Sequence, residues 1–192
     1  MHVKRLFGSM GLVALLVMMV VMAGVVIVRV EAAPNGISER AVISEAYSWL
    51  GVPYKFGGGH DSDPYKGTRG VDCSGLVRQI YMRASGWRAY YKDRTAEEIR
   101  RASYPVWPPR PGDVIIFIDK RTGTCTHVGI YIGPSSYGYW DAYFISAVYR
   151  IGSDYPMKVE LDRLYFSKHG TGIWYKYFYI YFARYNPDSW NS

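Results

Sequence analysis

The stretch Val71-Asp72-Cys73-Ser74-Gly75-Leu76-Val77-Arg78-Gln79-Ile80-Tyr81-Met82-Arg83-Ala84 passes from a polar loop into an amphipathic helix. Its apolar residues Leu76, Val77, Ile80, Tyr81 and Ala84 recur at i, i+1, i+4, i+5 and i+8, one face of a 3.6-residue period. Asp72 is a good N-cap, so Cys73 falls at the helix start, where unsatisfied N–H groups and partial positive charge favour a thiolate. Such a position can lower a cysteine pKa from about 8.5 to roughly 3.5–7.5, and the same N–H groups can cradle an oxyanion. A free cysteine is more often a small buried hydrophobe. The neighbours Asp72, Ser74 and Gly75 argue against an apolar site, and the local sequence leaves the two readings even.

Upstream, Ser38 can cap a helix running to about Leu50, with Val42, Ile43, Ala46, Tyr47, Trp49 and Leu50 at helical spacing and Gly51 and Pro53 ending it. Gly57-Gly58-Gly59 opens a polar loop that must turn sharply or approach something closely. Downstream, Thr95 and Glu98 form a capping box for a helix from Ala96 to about Ala102. The period then changes to that of strands: Val114–Ile118, His127–Ile132, Tyr143–Tyr149, Val159–Tyr165 and Trp174–Tyr185. In the last, Phe178, Ile180 and Phe182 point one way and Tyr177, Tyr179 and Tyr181 the other. Helices followed by an antiparallel sheet make an α+β domain, expected over residues 34–192.

Residues 1–33 read as a signal peptide or transmembrane anchor. From Leu6 to Val28 there is no charge, and 23 residues of helix rise about 34 Å, enough to cross a hydrocarbon core of roughly 30 Å. Lys4 and Arg5 precede this run, and Val30-Glu31-Ala32 offers small residues suited to cleavage. Both readings place the domain outside the cytoplasm, either membrane-anchored by an N-terminal hydrophobic helix or secreted. Net charge is +7, and +5 once Lys4, Arg5, Arg29 and Glu31 are set aside, leaving 20 basic against 15 acidic residues. That mild bias suits an anionic partner, but no basic run or nucleic-acid motif appears, so nucleic acid is excluded as a partner.

Two cysteines are too few for a disulfide scaffold, and no CxxC or Cys/His quartet suggests a metal, so no metal or cofactor is expected. His127 opens the run His127-Val128-Gly129-Ile130-Tyr131-Ile132-Gly133, where its ring can point across a cleft to a helix start and serve as a base. His60 and His169 lie in glycine-flanked loops and are weaker candidates. Cys125 is expected to face the same way as His127, and to lie near enough to Cys73 for a disulfide that would block the nucleophile. The plainer reading of Cys125 is a buried spectator thiol.

Three blocks then resemble the NlpC family of cell-wall cysteine endopeptidases, a papain-like branch. They are Ala46 to Gly58 (AYSWLGVPYKFGG), Asp72 to Val77 (DCSGLV), and Arg110 to Phe117 (RPGDVIIF) followed by His127 to Gly133 (HVGIYIG). The resemblance implies a papain-like fold, with N-terminal helices packed on an antiparallel sheet, in a monomeric peptidase acting on cell-wall peptides. Cys73 would be the nucleophile and His127 the base. Tyr54, Asp72 and Ser74 would line the substrate site, where relatives hold the amino end of a short wall peptide. The bond implied is one between D-glutamate and a diamino acid. One departure stands out. The family's third polar residue, His, Asn or Gln, aligns with Ser146, a weaker acceptor. Residues 135–142 look inserted before that strand, and Asp141 within them is an alternative third member. Two other readings remain: a weakened member that binds peptide or glycan without cutting, and an amidase or acyltransferase for a non-murein substrate.

Overall fold

A computed structural model describes residues 37–60, 70–149, 157–167, 170–171, 173–186 and 188. The run expected as a signal peptide or anchor lies outside the described residues, and among those described no helix is long and apolar enough to cross a membrane.

Among the described residues three helices precede the sheet. Helix α1 (Glu39–Ser48) is capped by the Ser38 hydroxyl, which accepts from the Ala41 N–H at 3.2 Å. Helix α2 (Cys73–Ala84) is capped by Asp72, which accepts from Gly75 N–H at 2.8 Å, so Cys73 is its first residue. Helix α3 (Ala96–Arg101) carries both halves of the Thr95–Glu98 capping box. The strands are β1 (Ser103–Pro105), β2 (Val114–Asp119), β3 (Cys125–Ser135), β4 (Gly138–Ala147), β5 (Val159–Arg163), a small pair β6 (Phe166–Ser167) and β7 (Gly170–Thr171), and β8 (Phe178–Tyr185), which the short helix α4 (Ile173–Tyr177) precedes. The main sheet runs β1-β8-β2-β3-β4-β5, antiparallel throughout. Helices ahead of an antiparallel sheet are the α+β arrangement the sequence implied.

Several boundaries moved, each for a reason of pairing. Trp174–Tyr177 is helix, because the ladder of β8 to β2 reaches only to the Asp119–Phe178 pair. Residues 135–142 do not form a loop inserted before a strand. Gly138 onward extends β4, which folds back on β3 through the Ser135–Gly138 and Gly133–Tyr143 pairs. The short strand β1, hidden by its Pro105, completes the edge beside β8.

The sheet separates two cores. On the helix side, Val42, Ala46, Trp49, Leu76, Val77 and Ile80 pack on Val114, Ile116, Val128, Ile130, Ile145 and Ala147. The opposite face gathers Ile115, Phe117, Tyr131, Phe144, Leu164, Trp174 and Phe182. As read from the sequence, Phe178, Ile180 and Phe182 share this second face, while Tyr181 packs on the helix side. Strand parity thus assigns each residue to one core or the other.

Candidate functional site

The loop before α2 is built around glycine. The Gly58 carbonyl accepts from Asp72 N–H at 3.1 Å, and Lys55 N–H donates to the Val71 carbonyl at 3.0 Å. A β-carbon on Gly75 would stand 2.0 Å from the Gly58 oxygen, so the first turn of α2 lies directly against this loop. That is the close approach the three glycines implied. Through the Tyr54–Val71 bridge, Tyr54 is brought beside Asp72 and Cys73. Burial, with the nearby Asp72 carboxylate adding to it, pushes the Tyr54 hydroxyl up to about 12, and its ring lies 5.4 Å from Tyr149.

Cys73 is half-buried and unpaired. Burial of its sulfur, followed by the Asp72 charge, pushes the thiol up to about 12, against the pull of the Val128 and Ser74 backbone N–H groups directed at it. The thiolate expected from the helix start is therefore not the resting form, because desolvation and a neighbouring carboxylate outweigh two N–H donors.

His127 stands one residue from the Val128 N–H that reaches the sulfur. Its Nε2 lies 3.0 Å from the hydroxyl of Ser146, a fully buried residue on β4. The imidazole ring stacks on Trp174 at 5.4 Å with 13° between planes, and sits 5.1 Å from the Phe117 ring. Asp141 is engaged elsewhere: it accepts from Ser135 Oγ at 2.9 Å and Tyr165 N–H at 3.2 Å and pairs with Arg163.

Cys125 and His127 do not face the same way. His127 pairs with Phe117 and Cys125 with Ile118, so Thr126 is an extra residue that bulges β3. Cys125 therefore joins the helix-side core, whereas the His127 ring packs on members of the opposite one. The Cys125 thiol donates to the His127 carbonyl at 3.3 Å, and burial pushes it up to about 11.

Asp72 and Ser74 are both buried and joined, Ser74 Oγ donating to Asp72 Oδ1 at 2.9 Å. The Asp72 carboxylate also takes the Gly57 N–H at 3.0 Å and His60 Nε2 at 3.1 Å. Burial would raise it, but the His60 and Gly75 hydrogen bonds hold it below the usual carboxylate range. His60 in turn bonds Asp93 through Nδ1. The hydrogen bond to Asp72 leads the causes that raise His60 to about 9, despite opposition from burial. By sequence His60 ranks only as a weaker candidate base, and its contact with Asp72 was not foreseen. Its signal was position: it directly follows the Gly57–Gly59 loop that was required to approach something closely. Among the described residues no group of His, Cys, Asp and Glu could hold a metal ion.

The NlpC/P60 family model matches residues 51–179. The chain is 35% identical over 108 residues to a gamma-DL-glutamyl hydrolase of Bacillus subtilis (strain 168), covering 55% of this chain and 24% of that protein. It is 28% identical over 108 residues to the murein DD-endopeptidase MepS/murein LD-carboxypeptidase of Escherichia coli (strain K12), covering 54% of this chain and 50% of the relative. The chain thus spans half or less of the length of these relatives. A lipoprotein-like NLP/P60-family crystal structure from Staphylococcus aureus subsp. aureus Mu50 superposes with TM-score 0.52 at 24% identity, covering 78% of this chain and 42% of that one, a likeness of fold.

Proposed function

Since the chain belongs to the NlpC/P60 family, we propose that it is an extracytoplasmic cysteine peptidase hydrolysing an amide bond in cell-wall peptides. Cys73 is the nucleophile and His127 the base. The supporting observation is the meeting of two elements distant in sequence: the Val128 N–H of β3 points at the Cys73 sulfur while the adjacent His127 is held by Ser146.

The chemistry follows from that arrangement. With the thiol neutral at rest, attack and proton transfer are coupled: sulfur bonds the carbonyl carbon as its proton passes to His127 Nδ1. Ser146 engages Nε2 and fixes the ring's orientation. The oxyanion is held by backbone N–H groups at the start of α2. The C–N bond then breaks, the leaving amine takes the proton from His127, and water releases the acyl group. The relatives named above act on γ-glutamyl and murein peptides, which supports a wall peptide as substrate. The N-terminal apolar run delivers the domain outside the cytoplasm, as anchor or cleaved signal.

The test is digestion of purified murein and its stem peptides, with products identified by mass spectrometry. Cys73→Ala and His127→Ala should each lose at least about a thousandfold in rate. Undiminished turnover in Cys73→Ala would end this reading. A second reading, a peptide-binding member that does not cut, draws on the neutral thiol and the weak Ser146 acceptor. It predicts binding without products.

A further inference from the structure

Beside Cys73, the Asp72 carboxylate has no acceptor capacity to spare. Oδ1 takes Ser74 Oγ at 2.9 Å and Gly75 N–H at 2.8 Å, Oδ2 takes Gly57 N–H at 3.0 Å, and His60 Nε2 lies 3.1 Å from both. An ionised carboxylate offers about four lone-pair positions, and these contacts occupy them. His60 is also held from behind, because its Nδ1 bonds the Asp93 carboxylate on the segment between α2 and α3. An imidazole that gives both ring nitrogens to carboxylates needs a proton on each, so the ring is an imidazolium ion.

We propose that His60 sets the substrate preference of this site: by occupying the cation position on Asp72, it makes the subsite beside Cys73 accept a peptide whose amino end is acylated and discriminate against one ending in a free ammonium. The proposal rests on the wall-peptide reading above. A substrate ammonium entering here would lose its water without gaining an unoccupied carboxylate. A neutral amide does not meet that cost. In chemical terms, stem peptides still joined to their glycan carry an acylated end, while released fragments carry the ammonium. The site is therefore built for attached peptides.

Calorimetric binding of L-alanyl-γ-D-glutamyl-L-lysine and its N-acetyl form to the full chain carrying Cys73→Ala separates the possibilities without relying on turnover. The acetylated peptide should bind at least about tenfold more tightly, the scale of one charge-assisted contact. Adding His60→Ala should erase or reverse that ratio, and His60→Gln, which keeps a donor without the charge, should fall between. A merely structural loss would weaken both peptides alike. Tighter binding of the free amine, a ratio that His60→Ala and His60→Gln leave unchanged, or binding of neither peptide would each overturn the proposal. Cleavage of either peptide by the chain with Cys73 intact would uphold the peptidase reading whatever the ratio, so the two fail separately.

Discussion

The two candidate residues of the site are held by different means. Cys73 is fixed by backbone: a capped helix start, a glycine loop pressed against it, and N–H donors from Ser74 and Val128. His127 is fixed by side chains, stacked on Trp174, flanked by Phe117 and tied to Ser146. Backbone positioning tolerates no added volume, whereas aromatic positioning can be loosened by degrees. The sulfur should therefore fail abruptly under mutation and the imidazole gradually.

The sharpest way to break this contrast is Gly75→Ala, whose added carbon has a carbonyl oxygen 2.0 Å away. It should cost about 3 kcal/mol or more in urea unfolding and lower wall-peptide hydrolysis at least about a hundredfold, since a displacement near 1 Å suffices. Trp174→Leu probes the aromatic side. It should lower kcat roughly tenfold with KM nearly unchanged, because the ring that faces His127 is lost while the substrate site is not. Equal losses from the two substitutions would erase the distinction drawn here. Ser146→Ala should be milder, a several-fold drop in kcat, as one neutral hydrogen bond to Nε2 is removed from a fully buried position.

The smallest effect expected is on thermal stability. His60 is raised from 6.5 to about 9, so its contribution is complete below the lower value and disappears as pH climbs through the upper one. Melting temperature should accordingly decline by a few degrees between those limits, and His60→Gln should flatten the decline. An unchanged slope in that variant would place the pH dependence elsewhere.

How much of this was legible depended on whether a feature is local. The Asp72 cap, the Thr95–Glu98 box and the alternation of Phe178, Ile180 and Phe182 are written within a few residues, and all were read correctly. The His127–Ser146 contact emerged from aligned family blocks, not from spacing. What escaped was set by distant partners. Nothing near Thr126 announces a bulge, because it exists only relative to Phe117 and Ile118. Residues 135–142 looked like an insertion because the family's strand aligns with Tyr143 onward, and only their pairing across the hairpin makes them strand. The thiol's high pKa likewise depends on desolvation by segments that fold over it, beyond the reach of a helix-start argument.

The extra residue in β3 has a wider implication. Strands count in twos, so a protein that must present a sulfur to one layer and an imidazole to the other, at positions 125 and 127, needs an odd step between them. Thr126 is that step. Without it the Phe117–His127 and Ile118–Cys125 pairs would be consecutive steps of a regular ladder, so the bulge is what lets residues two apart enter different layers. The arrangement depends less on any reactive group than on a count.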